Sequence, residues 1–167
     1  MVLGEVFYLK GICYLRLKEF EKAIKNFKRA KEINFLTPFV LFNEAEAYKV
    51  LGRNNDAFSS YKGALKLFPA FSECRHNYAL LLNGSGLFLQ AELQLRLNLV
   101  YKSDYFESSF ELGNILREHN KVDESIECYK LCLNINPKYV PAILNLGICY
   151  QEKDDLRKSI NFYQQCL

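Results

Sequence analysis

Asn145-Leu146-Gly147-Ile148-Cys149-Tyr150 decides the fold, because its small-then-aromatic spacing returns every 34 residues back to the N-terminus. Gly147 aligns with Gly113, Ala79, Ala45 and Gly11, and Tyr150 aligns with Leu116, Leu82, Tyr48 and Tyr14. A fixed period in this range marks a solenoid, in which one supersecondary unit cannot bury its apolar face alone and stacked neighbours supply the core. The period lays out five repeats over 4–37, 38–71, 72–105, 106–139 and 140–167.

Working outward, each repeat splits into two amphipathic helical patterns around a short polar break. The breaks hold Leu17-Lys18-Glu19, Gly52-Arg53-Asn54-Asn55, Gly84-Ser85-Gly86, His119-Asn120-Lys121 and Lys153-Asp154-Asp155, which are turn compositions. In the first helices the apolar and small residues recur at helical spacing, as in Phe7, Gly11 and Tyr14, and not with strand alternation. The second helices repeat Ala23, Ala57, Ala91, Ser125 and Ser159, followed four residues later by Phe27, Tyr61, Leu95, Tyr129 and Tyr163. Small residues on both helices let the axes approach, and the large one fills the space between them. Pro38, Pro69 and Pro137 punctuate the boundaries between repeats.

With small residues in the eighth and twentieth places, aromatic or Leu in the eleventh and twenty-fourth, and Pro69 and Pro137 in the thirty-second, the chain resembles the tetratricopeptide repeat (TPR) family over essentially its whole length. The resemblance implies an all-α fold, a right-handed superhelix of antiparallel helix hairpins, here as a single domain over 1–167. Two departures stand out. The chain has no tryptophan, and its third repeat carries Arg75, Leu95, Asn98 and Ser103 where the family usually has an apolar residue, an aromatic, a small residue and Pro. The pattern carries the last helix to Leu167 with no polar closing helix after it. The chain is therefore expected to be a fragment of a longer array, with self-association through the uncapped C-terminal end as the alternative.

Composition limits the function classes. Half of the residues are apolar and a quarter charged, as in an ordinary folded chain. No apolar run approaches the ~18 residues needed to span a bilayer, so no membrane insertion is expected. The six cysteines are scattered, and read as small buried hydrophobes they place the chain in a reducing compartment, cytoplasmic or nuclear. A net charge of +3 is too small to argue for nucleic acid. The basic second helix with Lys18, Lys22, Lys25, Lys28, Arg29 and Lys31 reads as a solvated outer face with no interleaved aromatics for base stacking.

In TPR proteins the first helices line a concave groove that takes an extended or helical peptide. The resemblance places Tyr8, Phe39, Phe42, Asn43, Glu46, Glu73, His76, Asn77, Phe110, Glu111, Asn114, Asn145 and Ile148 on that face. Asn43, Asn77 and Asn145 share one place in the repeat, a row interrupted by Leu9 and Glu111. Each amide offers a donor and an acceptor, so the row can bond a peptide main chain, or else a neighbouring repeat. Phe39, Phe42 and Phe110 are peptide anchors or interrepeat packing. The groove carboxylates favour a partner with basic or neutral residues.

A clamp for acidic chaperone tails fails, since only Asn43 fits and Glu73 would repel a carboxylate. An RNA-binding repeat is disfavoured by the period and by the acidic groove. Cys128, Cys132 and His119 do not make a four-ligand zinc set. No metal, no cofactor and no catalytic constellation is expected. The leading reading is a non-catalytic protein–protein interaction scaffold within a multiprotein complex. The alternative is the recognition or regulatory region of a larger enzyme, such as a glycosyltransferase of the O-GlcNAc transferase type.

Overall fold

The computed structural model describes residues 2–167, and these contain ten α-helices and no strand. They are α1 (Val2–Arg16), α2 (Phe20–Glu32), α3 (Pro38–Val50), α4 (Asn54–Leu67), α5 (Ser72–Gly84), α6 (Phe88–Tyr101), α7 (Phe106–Glu118), α8 (Val122–Ile135), α9 (Val140–Glu152) and α10 (Leu156–Gln164). The contacts gather into two compact units, one up to Leu81 and one from Leu82 onward, with the boundary inside α5. Within the first unit α1 pairs with α2 and α3 with α4; within the second, α7 pairs with α8 and α9 with α10. The sequence pattern carries the last helix to Leu167, whereas α10 ends at Gln164, where the Gln165 N–H donates to the Asn161 carbonyl at 3.3 Å.

The 34-residue period is also a backbone period. Lys18, Gly52, Gly86, Asn120 and Asp154 all sit at positive φ, between 59° and 77°. At each, two bonds close the end of the first helix: Glu19 N–H donates to Tyr14 O at 2.9 Å and Lys18 N–H to Leu15 O at 3.0 Å, and the same pair recurs at every later turn. This left-handed closure satisfies carbonyls that the helix end would leave open. Thr37 and Asp155 add side-chain caps, accepting from the N–H of Val40 and of Lys158.

The first, fourth and fifth hairpins are each held by a ring set against a glycine. A Cβ added at Gly113 would lie 2.6 Å from Tyr129, at Gly147 2.4 Å from Tyr163, and at Gly11 2.4 Å from Phe27. Tyr129, Phe27 and Tyr61 are completely buried. Two of the atypical residues of the third repeat have hydrogen-bond partners inside their own units. Arg75 is buried and donates from Nη2 to Pro69 O at 2.7 Å, and Asn98 is buried and donates to Ser108 Oγ at 2.8 Å.

An ion pair also breaks the apolar rule between repeats. Lys31 Nζ on α2 reaches both carboxylate oxygens of Glu44 on α3 at 2.7 Å, and Ser60 on α4 donates to the same carboxylate at 3.1 Å. Lys31 is thus not on a solvated outer face, which corrects the expectation for this residue. At the matching places one to three repeats on, Leu65, Leu99 and Leu133 replace Lys31, and Tyr78, Leu112 and Leu146 replace Glu44. Glu44 is only 1% exposed. Removing either partner is therefore expected to cost about 2–4 kcal/mol, because one charge is left without compensation. The double variant Lys31→Leu/Glu44→Leu is expected to lie within about 1 kcal/mol of the parent or above it, and urea unfolding of the parent and three variants reads this directly.

Candidate functional site

The side chains expected to meet a peptide lie on the first helices, some in each unit. In the first unit Tyr8 and Asn43 meet across α1 and α3: Asn43 Nδ2 donates to the Tyr8 hydroxyl at 3.3 Å and to Phe39 O at 2.8 Å. Burial holds the Tyr8 phenol above its usual range, partly offset by the Asn43 bond. Phe39 is 49% exposed with its edge on Phe71, ring centres 5.2 Å apart. Phe42 is only 9% exposed, packed on Phe71 at 5.0 Å and Tyr61 at 6.3 Å. It offers a partner far less surface than Phe39.

Glu46 collects three donors. Its Oε1 accepts from the Tyr61 hydroxyl and from Asn77 Nδ2 at 3.0 Å, and Oε2 pairs with Lys49. Burial first, and then the Glu46 charge, push the Tyr61 phenol far above its usual range. A carboxylate engaged by three groups of its own chain acts as a structural bridge between repeats. Glu73 on α5 is exposed, and His76 is buried.

The second unit repeats the bridge with a neutral centre. Tyr129 donates to Asn114 Oδ1 at 2.7 Å, and Asn145 Nδ2 donates to Asn114 Oδ1 at 2.9 Å and to the Tyr129 hydroxyl at 3.2 Å. Phe110 packs on Tyr139 at 5.1 Å and on Tyr129 at 5.8 Å. Glu111 is half-buried, and burial holds its carboxyl above the usual carboxylate range despite a 3.2 Å bond from Asn114 Nδ2. Ile148 is half-buried on α9.

The asparagine row therefore donates inward, to neighbouring repeats. The amide donors of Asn43 and Asn145 are each engaged twice and that of Asn77 once. None of their Oδ1 atoms has a partner among the described residues. Sequence reasoning missed Tyr61 and Tyr129 as polar members of this site. The signal was present: Glu46, Tyr61 and Asn77 reappear 68 residues later as Asn114, Tyr129 and Asn145, whereas Ile12 and Leu80 coincide with Phe27 and Leu95.

The cysteines carry free thiols. Burial pushes Cys74 up to about 12 and Cys128 and Cys132 up to about 11, which makes them poor nucleophiles. Among the described residues no group of three His, Cys, Asp or Glu could hold a metal ion, and no helix is long and apolar enough to cross a membrane.

Comparison with known proteins agrees with the hairpin architecture. Family models described as tetratricopeptide repeat match residues 4–34, 106–139 and 140–167, together more than half of the chain. The chain is 25% identical over 148 residues to the BBSome complex member BBS4 of Bos taurus, covering 87% of this chain and 28% of that protein. It is 27% identical over 203 residues to the protein O-mannosyl-transferase TMTC3 of Homo sapiens, covering 98% of this chain and 22% of that protein. The chain thus spans about a quarter of the length of these relatives.

Among solved structures, a crystal structure of MamA superposes with a TM-score of 0.90 at 19% identity, covering 98% of this chain and 90% of that one. YrrB, described as a TPR protein with an unusual peptide-binding site, gives 0.80 at 16% identity, covering 96% and 82%. At such identities these likenesses speak for the fold alone.

Two measurements test the geometry. Tyr129→Phe removes the hydroxyl that joins Asn114 to Asn145 and is expected to lower stability by about 1–2 kcal/mol. For Glu111 the folded-state pKa is raised, so folding favours its protonated form and its contribution declines as pH rises through the carboxylate range. Glu111→Gln is accordingly expected to raise the urea midpoint at pH 7, with the gain fading as the pH is lowered and the parent carboxyl takes up its proton.

Proposed function

The chain belongs to the tetratricopeptide repeat family, and from that premise we propose that it is a non-catalytic interaction scaffold holding a peptide segment of a partner protein along its first helices. One observation carries this reading. Asn43, Asn77 and Asn145 stand at one place of the repeat with their amide donors held by their own chain and their Oδ1 oxygens unengaged. Acceptors held in this way, Asn43 and Asn77 in the first unit and Asn145 in the second, suit a ligand that brings donors, as the N–H groups of an extended or helical peptide do. Phe39 on the first unit adds an exposed aromatic contact, and Phe110 and Ile148 give the second unit an apolar border. Membership of a multiprotein complex is supported by the likeness to a BBSome complex member. The free, buried thiols of Cys74, Cys132 and Cys149 favour a reducing compartment, although Cys13 is exposed and not the buried residue expected from sequence.

A second reading, the recognition region of a larger glycosyltransferase, is supported by the match to an O-mannosyl-transferase that extends far beyond this chain. The two share the same peptide-binding face.

A peptide-display selection against the parent chain, repeated with Asn43→Ala/Asn77→Ala/Asn145→Ala, tests the face. Selected peptides are expected to bind the triple variant about tenfold or more weakly, with circular dichroism confirming that it remains folded. Equal binding by a folded triple variant would remove the asparagine row from the function.

A further inference from the structure

Two carboxylates of the first helices, Glu46 and Glu111, are both half-buried, yet their own chain engages them very differently. An ionised carboxylate offers about four lone-pair sites to donors. Glu46 is held by Tyr61, Asn77 and Lys49, the last of them a cation. Glu111 accepts a single bond, from Asn114 Nδ2 to Oε2 at 3.2 Å, and among the described residues it pairs with no cation. Burial is the main reason that its carboxyl lies above the usual range, Asn114 offsets this in part, and the like charge of Glu118 adds to it. A half-buried carboxylate in this state carries a desolvation cost that a donor from outside the chain can recover.

Its place in the repeat explains why it stands apart. Glu111 occupies the position held elsewhere by Asn43, Asn77 and Asn145. Those three give an amide hydrogen to a residue one repeat earlier, Tyr8, Glu46 and Asn114 respectively. A carboxylate has no hydrogen to give. Instead, Glu111 ends a series of bonds within the second unit: Asn145 Nδ2 and the Tyr129 hydroxyl donate to Asn114 Oδ1 at 2.9 and 2.7 Å, and Asn114 Nδ2 donates to Glu111. Donors that polarise one another in series put the negative end of the network on the Glu111 carboxylate. A corner of rings stands nearby, where Phe110 meets Tyr139 at 5.1 Å with the planes at 87°. Burial first, and then charges that include Glu111, hold the Tyr139 phenol above its usual range, so the carboxylate lies within electrostatic reach of that ring.

The complement of such a place is a cation with several donors and a flat face. A guanidinium presents a rigid fork of N–H groups to a carboxylate, stacks on aromatic rings, and gives up its weak hydration more readily than an ammonium does. We propose that Glu111 is a specificity-determining residue of the second unit, and that it seats an arginine side chain of the partner peptide between its carboxylate and the Phe110–Tyr139 rings. This rests on the reading of the first helices as a peptide face, and adds to it the side chain that the peptide must carry. The free Oδ1 of Asn145, one amide group away through Asn114, takes a main-chain N–H of the same peptide.

The probes are capped pentapeptides, Ala-Ala-Arg-Ala-Ala and its counterpart with citrulline, which keeps the shape of arginine and loses the charge. Each is titrated into the full chain and followed through amide chemical shifts. The arginine peptide is expected to shift Phe110, Glu111, Asn114 and Tyr139 and to bind about fivefold or more tightly than the citrulline peptide. On the Glu111→Gln chain the two peptides are expected to bind alike, with the urea midpoint showing that this variant is folded. The Asn43→Ala/Asn77→Ala/Asn145→Ala chain is expected to bind both peptides more weakly and to keep their ratio. The proposal is overturned if the parent binds both peptides alike, if the arginine peptide shifts none of the four residues by about 20 mM, or if Glu111→Gln keeps the preference. It is equally overturned if a lysine counterpart binds more tightly than the arginine peptide. If the asparagine variant binds both peptides as the parent does, with the arginine preference intact, the asparagine row is removed from the function and the arginine seat stands.

Discussion

The structure depends on the close approach of two helices inside a hairpin, made possible in the first, fourth and fifth repeats by a glycine facing a ring. Where Gly113 faces Tyr129, no room remains for a methyl group. Such contact fixes both the separation of the axes and the rotation of the second helix. It also fixes where the far end of the ring emerges. The Tyr129 ring fills the glycine notch, and its hydroxyl comes out between Asn114 and Asn145. Packing and the polar network between repeats are in this way written in one side chain, and a change at the notch moves the polar groups above it.

That coupling explains how much was legible in the sequence. Small and large residues at a fixed interval announce hairpins because close packing tolerates few substitutes, so the helices and their turns could be placed from Gly147 and Tyr150 outward. The polar site was harder. Asn43, Asn77 and Asn145 could be assigned a face, but whether they look to a ligand or to their own chain depends on hydroxyl and carboxylate atoms brought from other repeats. Tyr61 and Tyr129 resemble core aromatics in a periodicity argument, since a phenol differs from a phenyl ring by one atom. Phe42 shows the same limit: its place in the repeat does not reveal that Phe71 and Tyr61 cover it.

The two units solve one problem with different chemistry. A charged acceptor, Glu46, receives the tyrosine and asparagine in the first unit, and a neutral one, Asn114, receives them in the second. Where Ile12 stands at that place, the following asparagine turns to Tyr8 instead. The Lys31–Glu44 pair similarly stands at places that later repeats fill with Leu or Tyr. Departures from the repeat thus come as matched sets, and each set distinguishes one joint from the others. A mismatched joint would bury an unpaired group, which is a stronger restriction on neighbour order than apolar packing alone provides.

The left-handed turns add a different kind of information. Two of the five are glycine, for which positive φ is unstrained, while Lys18, Asn120 and Asp154 hold the same geometry with a side chain present. Asn and Asp tolerate this region, whereas for Lys it is disfavoured by roughly 1–2 kcal/mol. In the unfolded chain the balance is reversed, because glycine has more freedom to lose. Loosening is therefore graded by hinge chemistry as well as by core size. The hairpin turning at Lys18 therefore carries the largest local strain of the five turns.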